Sequence, residues 1–138
     1  MEDAKGLVRR YLASYETGSQ DVIACLHPSH VYHPPGGGGP VSREARVADE
    51  AFFFTAFSDI RVVVEDLIAE GDRVASRISM HCTHTGDYQG IPPSGRRVVI
   101  AYLDIVRLED GKVIEEWAEF DLLSIFNQIR VDGDTPGR

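Results

Sequence analysis

The spacing of hydrophobic residues changes from helical to alternating after the first third of the chain. Between positions 4 and 15, apolar residues recur every three or four places and predict an amphipathic helix that Gly18 closes. Ser19 is placed to cap a second, short helix through residue 26, and Ser42 to cap a third helix that ends near residue 57. The first part of the chain is therefore predicted to be helical.

The rest of the chain predicts a sheet of long strands. Val, Ile, Thr and Tyr dominate four segments, and the Glu-Gly-Asp and Glu-Asp-Gly sequences between two pairs of them are typical of hairpin turns. The predicted strands are 61–69, 73–85, 97–109 and 112–120, with a short strand at 31–33 and a terminal helix or strand extension at 121–129. Helices followed by antiparallel strands indicate the α+β class. Strands of this length must twist, so helices on the concave side would enclose a pocket.

Length and charge narrow the classes of function. A chain of 138 residues suits one domain with one core, which we place at residues 1–130, with a flexible tail at 131–138. The net charge of −8 argues against nucleic acid or an anionic membrane as partner, because both need clustered Lys and Arg. No apolar run approaches the roughly 20 residues that span a bilayer. Two cysteines, Cys25 and Cys82, favour free thiols in the cytoplasm.

The strand at 112–120 carries the most informative polar residues. Side chains alternate along a strand, so Trp117, Glu119 and Asp121 should point the same way. If this face is solvated, the pattern means little. If it lines a cavity, it places an acid or base beside an aromatic platform, which suits general acid–base chemistry on an apolar small molecule. Glu115 and Glu116 are interpreted as surface charges.

Several blocks of sequence resemble the SnoaL-like polyketide cyclases of the nuclear transport factor 2-like superfamily. They are Ala56-Phe-Ser-Asp-Ile-Arg61, Glu65-Asp-Leu-Ile-Ala-Glu-Gly-Asp-Arg-Val74, Thr83-His-Thr-Gly-Asp87, Gly90-Ile-Pro-Pro-Ser-Gly95, and Asp104-Ile-Val-Arg107 leading into Glu-Glu-Trp and the following aspartate. The resemblance implies a cone-shaped α+β barrel with one deep apolar pocket, usually in a homodimer, without metal or organic cofactor. It also implies that Asp121 is the acid/base of an intramolecular aldol closure.

Two histidines are further candidates. His84 lies in a matching block and could donate to a developing enolate oxygen, or it could be a hydrogen-bonded structural histidine. His81 is three positions away and should face the other side of the strand. Relatives often have His-Asp where this chain has His33-Pro34, so a substrate-binding role of His33 cannot rely on an adjacent carboxylate.

Tyr102 and Asp104 share one face of their strand, which is either the pocket or solvent. In a pocket, Tyr102 could donate to a substrate oxygen, and Asp104 could orient His84. The helical contributors to the pocket would be Tyr15, Phe53 and Phe57, although core packing explains each of them equally simply.

Two apparent motifs are rejected as ligand sites. The spacing of His27, His30 and His33 matches no standard zinc pattern, and Pro28 interrupts them. The glycine run at 36–39 lacks the Gly-Lys-Ser/Thr of a phosphate loop and is interpreted as a mobile rim or lid of the pocket.

The sequence thus leads to a cofactor-free cyclase that closes a ring in an aromatic, polyketide-like carbonyl compound by acid/base catalysis. An alternative is epoxide opening or isomerisation in the same pocket, for which the pairs Asp104/Asp121 or Glu119/Asp121 would serve. A second alternative is a module that binds a small ligand without catalysis. Fold alone does not choose among these functions.

Overall fold

Polar caps define the helices. The computed structural model describes residues 3–130, so the predicted tail lies outside the described residues. The helices are α1 (Ala4–Ala13), α2 (Ser19–Ala24), α3 (Arg43–Ala56) and α4 (Leu122–Ile129), with a 3₁₀ turn at Ser14–Glu16. Ser42 caps α3 as predicted, accepting from the backbone N–H of Ala45 at 3.2 Å. The prediction that Ser19 caps α2 is wrong, because Gly18 occupies the cap position with a φ of 132° and Ser19 is the first helical residue.

Within the described range 3–130, six strands form one curved sheet that does not close. They are β1 (Leu26–His33), β2 (Val41–Ser42), β3 (Phe57–Glu70), β4 (Arg73–His84), β5 (Arg97–Glu109) and β6 (Lys112–Phe120), in the order β2-β1-β6-β5-β4-β3. The four long strands and the α+β class are confirmed. β1 is longer than predicted and runs parallel to β6. It includes Pro28, which falls where the register between β1 and β6 shifts, so the missing N–H interrupts no regular ladder there.

The helices cover one face of the sheet, called here the inner face. Along β4 the buried residues alternate strictly, and they are Val74, Ser76, Ile78, Met80, Cys82 and His84. His81 faces the other side, as predicted. The opposite face, called here the outer face, exposes several large apolar side chains, which are Val63, Val99, Leu103 and Ile105. No helix among the described residues is long and apolar enough to cross a membrane.

Candidate active site

A cavity of about 600 Å³ lies between the helices and the inner face. Such a volume is in the usual range for sites that bind small organic molecules. Aromatic and aliphatic side chains form most of the wall, which includes Tyr15, Tyr32, Phe53, Met80, Ile100, Tyr102, Phe120 and Ile125. Exposed residues mark the mouth, which includes Asp49, Phe52, Asp87 and Gln89. Pro34 and Pro35, just before the glycine run, also line the cavity.

Arg46 organises the polar end of the cavity. Its side chain is 1% exposed and donates through Nε to Glu50 at 2.9 Å and through Nη1 to Glu116 at 3.0 Å. Its Nη2 donates to the hydroxyls of Tyr11 at 2.8 Å and Tyr15 at 3.1 Å. The neighbouring carboxylates and phenols outweigh burial and raise the pKa of Arg46, so the guanidinium stays charged.

The imidazole of His30 completes the contacts of Arg46. An arginine only donates, so His30 Nε2 must accept from Nη1 at 3.2 Å, and Nδ1–H then donates to the carbonyl of Val113 at 2.8 Å. Burial lowers the pKa of His30, which keeps the ring neutral in this tautomer. The guanidinium also lies 3.9 Å from the ring centroid of Tyr32, a cation–π contact.

Two buried carboxyl groups share a proton behind the cavity wall. Asp104 on β5 and Glu116 on β6 are 4% and 3% exposed and are hydrogen-bonded to each other. Burial, with the negative charge of Glu116, raises the pKa of Asp104 well above its usual range. Burial opposes ionisation of Glu116 too, but Arg46 and hydrogen bonds that include the one from Tyr11 at 2.6 Å hold its pKa below the usual range. Asp104 is therefore the protonated partner and Glu116 the ionised one.

Glu50 has two very different carboxylate oxygens. Oε1 accepts from Arg46 Nε at 2.9 Å and from the hydroxyl of Tyr15 at 3.0 Å. Oε2 is buried and has no hydrogen-bond partner among the described residues 3–130. Burial raises the pKa of Glu50, although Arg46 opposes that effect. Glu50 therefore lies in the cavity wall with one buried oxygen that no group of residues 3–130 pairs.

The expectation that Trp117 and Glu119 face the cavity is wrong. Both lie on the outer face of β6, whereas Glu116, Ala118 and Phe120 face inward. Trp117 stacks on His33 with ring centroids 4.9 Å apart. The sequence does not determine which face of β6 is buried, because both faces combine acidic and apolar residues. Arg46 from α3, together with Tyr11 and Asp104, stabilises Glu116 at a buried position, so the interpretation of Glu116 as a surface charge is also wrong.

Asp121 lies at the junction of β6 and α4. It is exposed, and its side chain caps α4 by accepting from the N–H of Ser124 at 3.1 Å. It does not line the cavity but borders an open depression of about 490 Å³, shared with Leu103 and Glu119 of the outer face. The contacts of Asp121 are thus those of a helix-capping residue. The catalytic role of Asp121 stays a prediction.

The capping role predicts a modest loss of stability. Replacing Asp121 with alanine should cost about 1 kcal/mol in the free energy of unfolding, and replacing it with asparagine a few tenths, because asparagine also caps helices. Urea unfolding of both variants would measure this, with Ser42→Ala at the cap of α3 as matched control. Equal stability of Asp121→Ala and wild type would contradict the role.

His84 is held at a buried position by Ser94, and its catalytic role stays a prediction. It is fully buried, its Nδ1 accepts from the N–H of Ser94 at 3.1 Å, and it does not line the cavity. The idea that Asp104 orients it is wrong. Asp104 pairs with Ser76 on β4, and His84 lies eight residues further along, roughly 27 Å at ~3.4 Å per residue. Phe57, which packs against His84 and Tyr88, does not line the cavity either.

The three histidines of β1 have separate environments. His27 lies 3.8 Å from Glu109 and 3.7 Å from Asp110, both exposed, and His30 contacts Arg46. His33 bonds Glu115 at 2.9 Å on the outer face, so its carboxylate partner comes from β6 rather than from the following residue. The three histidines therefore do not form one shared metal site.

The structure thus brings Tyr15, Phe53 and Tyr102 together in the cavity, as predicted, and adds Arg46 and Glu50, which sequence reasoning missed. A signal for them existed. Positions 46, 50, 53 and 57 fall on one stripe of a helix, so a charged pair at i and i+4 continues the stripe of phenylalanines.

Comparison with known proteins agrees with this architecture. The model of the family described as SnoaL-like polyketide cyclase matches residues 5–129. The chain belongs to the SnoaL-like polyketide cyclase family.

Relatives of this cyclase include two with assigned substrates. The chain is 30% identical over 137 positions to aklanonic acid methyl ester cyclase DnrD of Streptomyces peucetius, covering 94% of this chain and 92% of that protein. It is also 30% identical to DauD of Streptomyces sp. (strain C5), described by the same activity, covering 94% of this chain and 83% of that protein. Because the named relatives are polyketide cyclases, this chain is an enzyme of the cyclase type.

The fold of this cyclase matches solved structures closely. AclR from Streptomyces galilaeus, a candidate hydroxylase, superposes with a TM-score of 0.84 at 28% identity, covering 97% of this chain and 85% of that chain. Since the same fold hosts different chemistry, the residues of the cavity must decide the reaction.

Proposed function

We propose that this enzyme closes a ring in an aromatic polyketide-type carbonyl compound by an intramolecular aldol reaction inside the cavity. The observation that carries the proposal is an aromatic cavity of about 600 Å³ whose wall includes three tyrosines, Arg46 and Glu50. The similarity to the aklanonic acid methyl ester cyclases supports the class of substrate.

The cavity wall supplies binding and orientation. Phe53 and Tyr102 present aromatic surface to the cavity, and Phe120 packs against Tyr102 with ring centroids 4.8 Å apart. A flat, fused-ring substrate is suited to such a wall. Holding the substrate in one folded conformation replaces a search among chain conformers by a near-attack geometry, which can supply a large part of the rate.

The polar end supplies the groups for proton transfer. Tyr32 and Tyr102 both line the cavity, and burial raises the pKa of both, so their hydroxyls remain protonated donors. They are suited to stabilise the enolate oxygen that develops when an α-proton is removed. The reaction as written needs neither a metal nor an organic cofactor.

The experiment incubates the purified protein with a panel of anthraquinone- and naphthacene-type esters, epoxides and enones that includes aklanonic acid methyl ester. We expect the keto ester to be converted to a product of unchanged mass with one new ring, detected by chromatography and mass spectrometry. Addition of water to an epoxide would instead support epoxide opening. Binding of an aromatic ligand without turnover of any compound would support the non-catalytic module.

We also propose that the protein works in the cytoplasm as a homodimer formed through the outer face, which exposes Val99, Leu103 and Ile105. Leu103 is 58% exposed, so replacing it with lysine should weaken association at least tenfold while leaving the monomer folded. Sedimentation velocity at micromolar concentration would measure this, with Leu123→Lys on α4 as the control that stays dimeric. Sedimentation of the wild type as a 15.3 kDa monomer would contradict the dimer.

A further inference from the structure

We propose that the ring of Phe120 is a movable partition between the cavity and Asp121, and that it positions the reacting end of the substrate against the Asp121 carboxyl group. This inference rests on the proposed function and on the predicted acid/base role of Asp121. A substrate held in the cavity would in this way reach a carboxyl group that does not line the cavity.

The cavity and the depression on the outer face share two lining residues, Tyr102 and Phe120. Their rings pack with centroids 4.8 Å apart. Asp121 borders the depression, whereas Phe120 and Leu122, the residues on either side of it in the chain, line the cavity. The paired rings therefore stand between the space that receives the substrate and the space beside Asp121.

The end of β6 leaves room for the ring of Phe120 to turn. Within residues 3–130, Tyr102 and Phe120 form the last residue pair between β5 and β6. Past this pair, the side-chain amide of Gln128 on α4 takes the place of a strand, since it donates to the carbonyl of Val99 and accepts from its N–H, both at 2.8 Å. Phe120 is half-buried and borders an open space of about 490 Å³ on the side of the depression. The ring therefore has space into which it can change rotamer.

A helix cap holds Asp121 in its present position. Its Oδ1 accepts from the N–H of Ser124 at 3.1 Å, and its side chain is exposed. A cap of this kind shifts an equilibrium by only about fivefold, so contact with a substrate can offset its loss. When the ring of Phe120 turns aside, the carboxylate exchanges the N–H of Ser124 for the acidic C–H of the substrate.

Approach from the outer face is the competing route. The depression is open and is bordered by the charged side chains of Arg77 and Glu119, whereas the aromatic cavity can enclose a flat ring system. The partner copy proposed above would also cover the depression, because Leu103 lines it. The cavity is therefore the side from which the substrate reaches Asp121.

The proton balance of the reaction closes on one carboxyl group. The carboxylate of Asp121 takes the α-proton, and the C–H electron pair becomes the enolate. The enolate carbon then attacks the internal carbonyl carbon, one C–C bond forms, and the C=O π pair becomes an alkoxide. The carboxylic acid of Asp121 returns its proton to that alkoxide. The product is an isomer of the substrate, and no oxidant or reductant is consumed.

The kinetic test changes the size of the side chain at position 120 and measures turnover of aklanonic acid methyl ester. Phe120→Trp should lower kcat at least about tenfold with little change in KM, because a larger ring hinders the opening after the substrate has bound. Phe120→Ala should keep kcat within about threefold of wild type and raise KM, because it removes the partition together with part of the cavity wall. The matched control is Phe53→Trp, since Phe53 lines the cavity but not the depression, and it should change KM more than kcat. Changes confined to KM in both variants of Phe120 would overturn the proposal.

A second measurement needs only binding and uses the wild type. Water-exchange NMR follows the amide of Ser124 while an anthraquinone ester is added, and contacts of the ligand with Phe53 show that it fills the cavity. Loss of the cap should speed exchange of this amide about fivefold, whereas burial by a ligand alone would slow it. The amide of Gly6, which Asp3 caps at 2.7 Å on α1, is the control that should not change. Unchanged or slower exchange at Ser124 with the cavity filled would overturn the proposal.

Failure of the proposed function would show separately, as absence of turnover by the wild type of every compound in the panel. The exchange of Ser124 then still decides whether a ligand in the cavity draws Asp121 away from α4. Failure of the anthraquinone ester to bind in the cavity would contradict both proposals.

Discussion

Replacing Arg46 with methionine is expected to lower the free energy of unfolding by about 3–5 kcal/mol, because it leaves buried carboxylates without their cation. Arg46 donates to Glu50, Glu116 and two tyrosine hydroxyls within 3.1 Å, all at buried positions. Methionine fills similar space but donates no hydrogen bond. Urea unfolding would measure the loss.

The matched control is Arg77→Met on β4. Arg77 bonds Asp66 at 2.7 Å, closer than any contact of Arg46, but both side chains are more than half exposed. Solvent screens such a pair, so its removal should cost about 1 kcal/mol or less. Similar losses in the two variants would contradict the view that Arg46 balances the charge of the cavity's polar end.

Replacing Asp104 with asparagine is expected to stabilise the protein at neutral and alkaline pH. The folded-state pKa of Asp104 is raised by burial and by Glu116, whereas the unfolded value is about 3.9. Between these two values the folded protein holds a proton that the unfolded chain has lost. This carboxyl group therefore makes stability fall as pH rises, by up to about 1.4 kcal/mol per pH unit. Asparagine removes that dependence and can still donate to Glu116.

The measurement is the difference in unfolding free energy between Asp104→Asn and wild type from pH 4 to pH 9. The difference should grow in favour of Asp104→Asn as pH rises from the unfolded-state pKa of Asp104 to its folded-state pKa. Above the folded-state pKa the difference should stay constant. The depressed pKa of Glu116 makes stability fall on acidification, but to a first approximation that dependence is common to both proteins and cancels. Asp72→Asn, at an exposed turn, should show no such trend. A flat difference would mean that Asp104 is ionised in the folded protein.

Local sequence signals predicted much of the fold. The helical stripe of α1, the cap at Ser42 and the alternation along β4 each depend on residues close together in the chain, so they are visible without the structure. The start of β1 could not be predicted because proline is disfavoured inside strands. Pro28 is tolerated because it lies at the register shift between β1 and β6, and this pairing is visible only in the structure.

The candidate site was less predictable because its polar end joins distant segments. Arg46 and Glu116 are 70 residues apart, and neither is expected inside a protein unless the other is there. Tyr15, Phe53 and Tyr102 were found because aromatic residues on buried faces commonly line cavities. The face of β6 could not be chosen from alternation alone, since alternation identifies two faces but not which of them is inside.

The most direct measurement is a crystal structure of the protein bound to an anthraquinone-type ester. The account predicts that the ring system lies in the cavity between Phe53 and Tyr102, with a carbonyl oxygen near the hydroxyl of Tyr32 or Tyr102. A ligand held on the outer face beside Glu119 and Asp121, with the cavity unfilled, would contradict it.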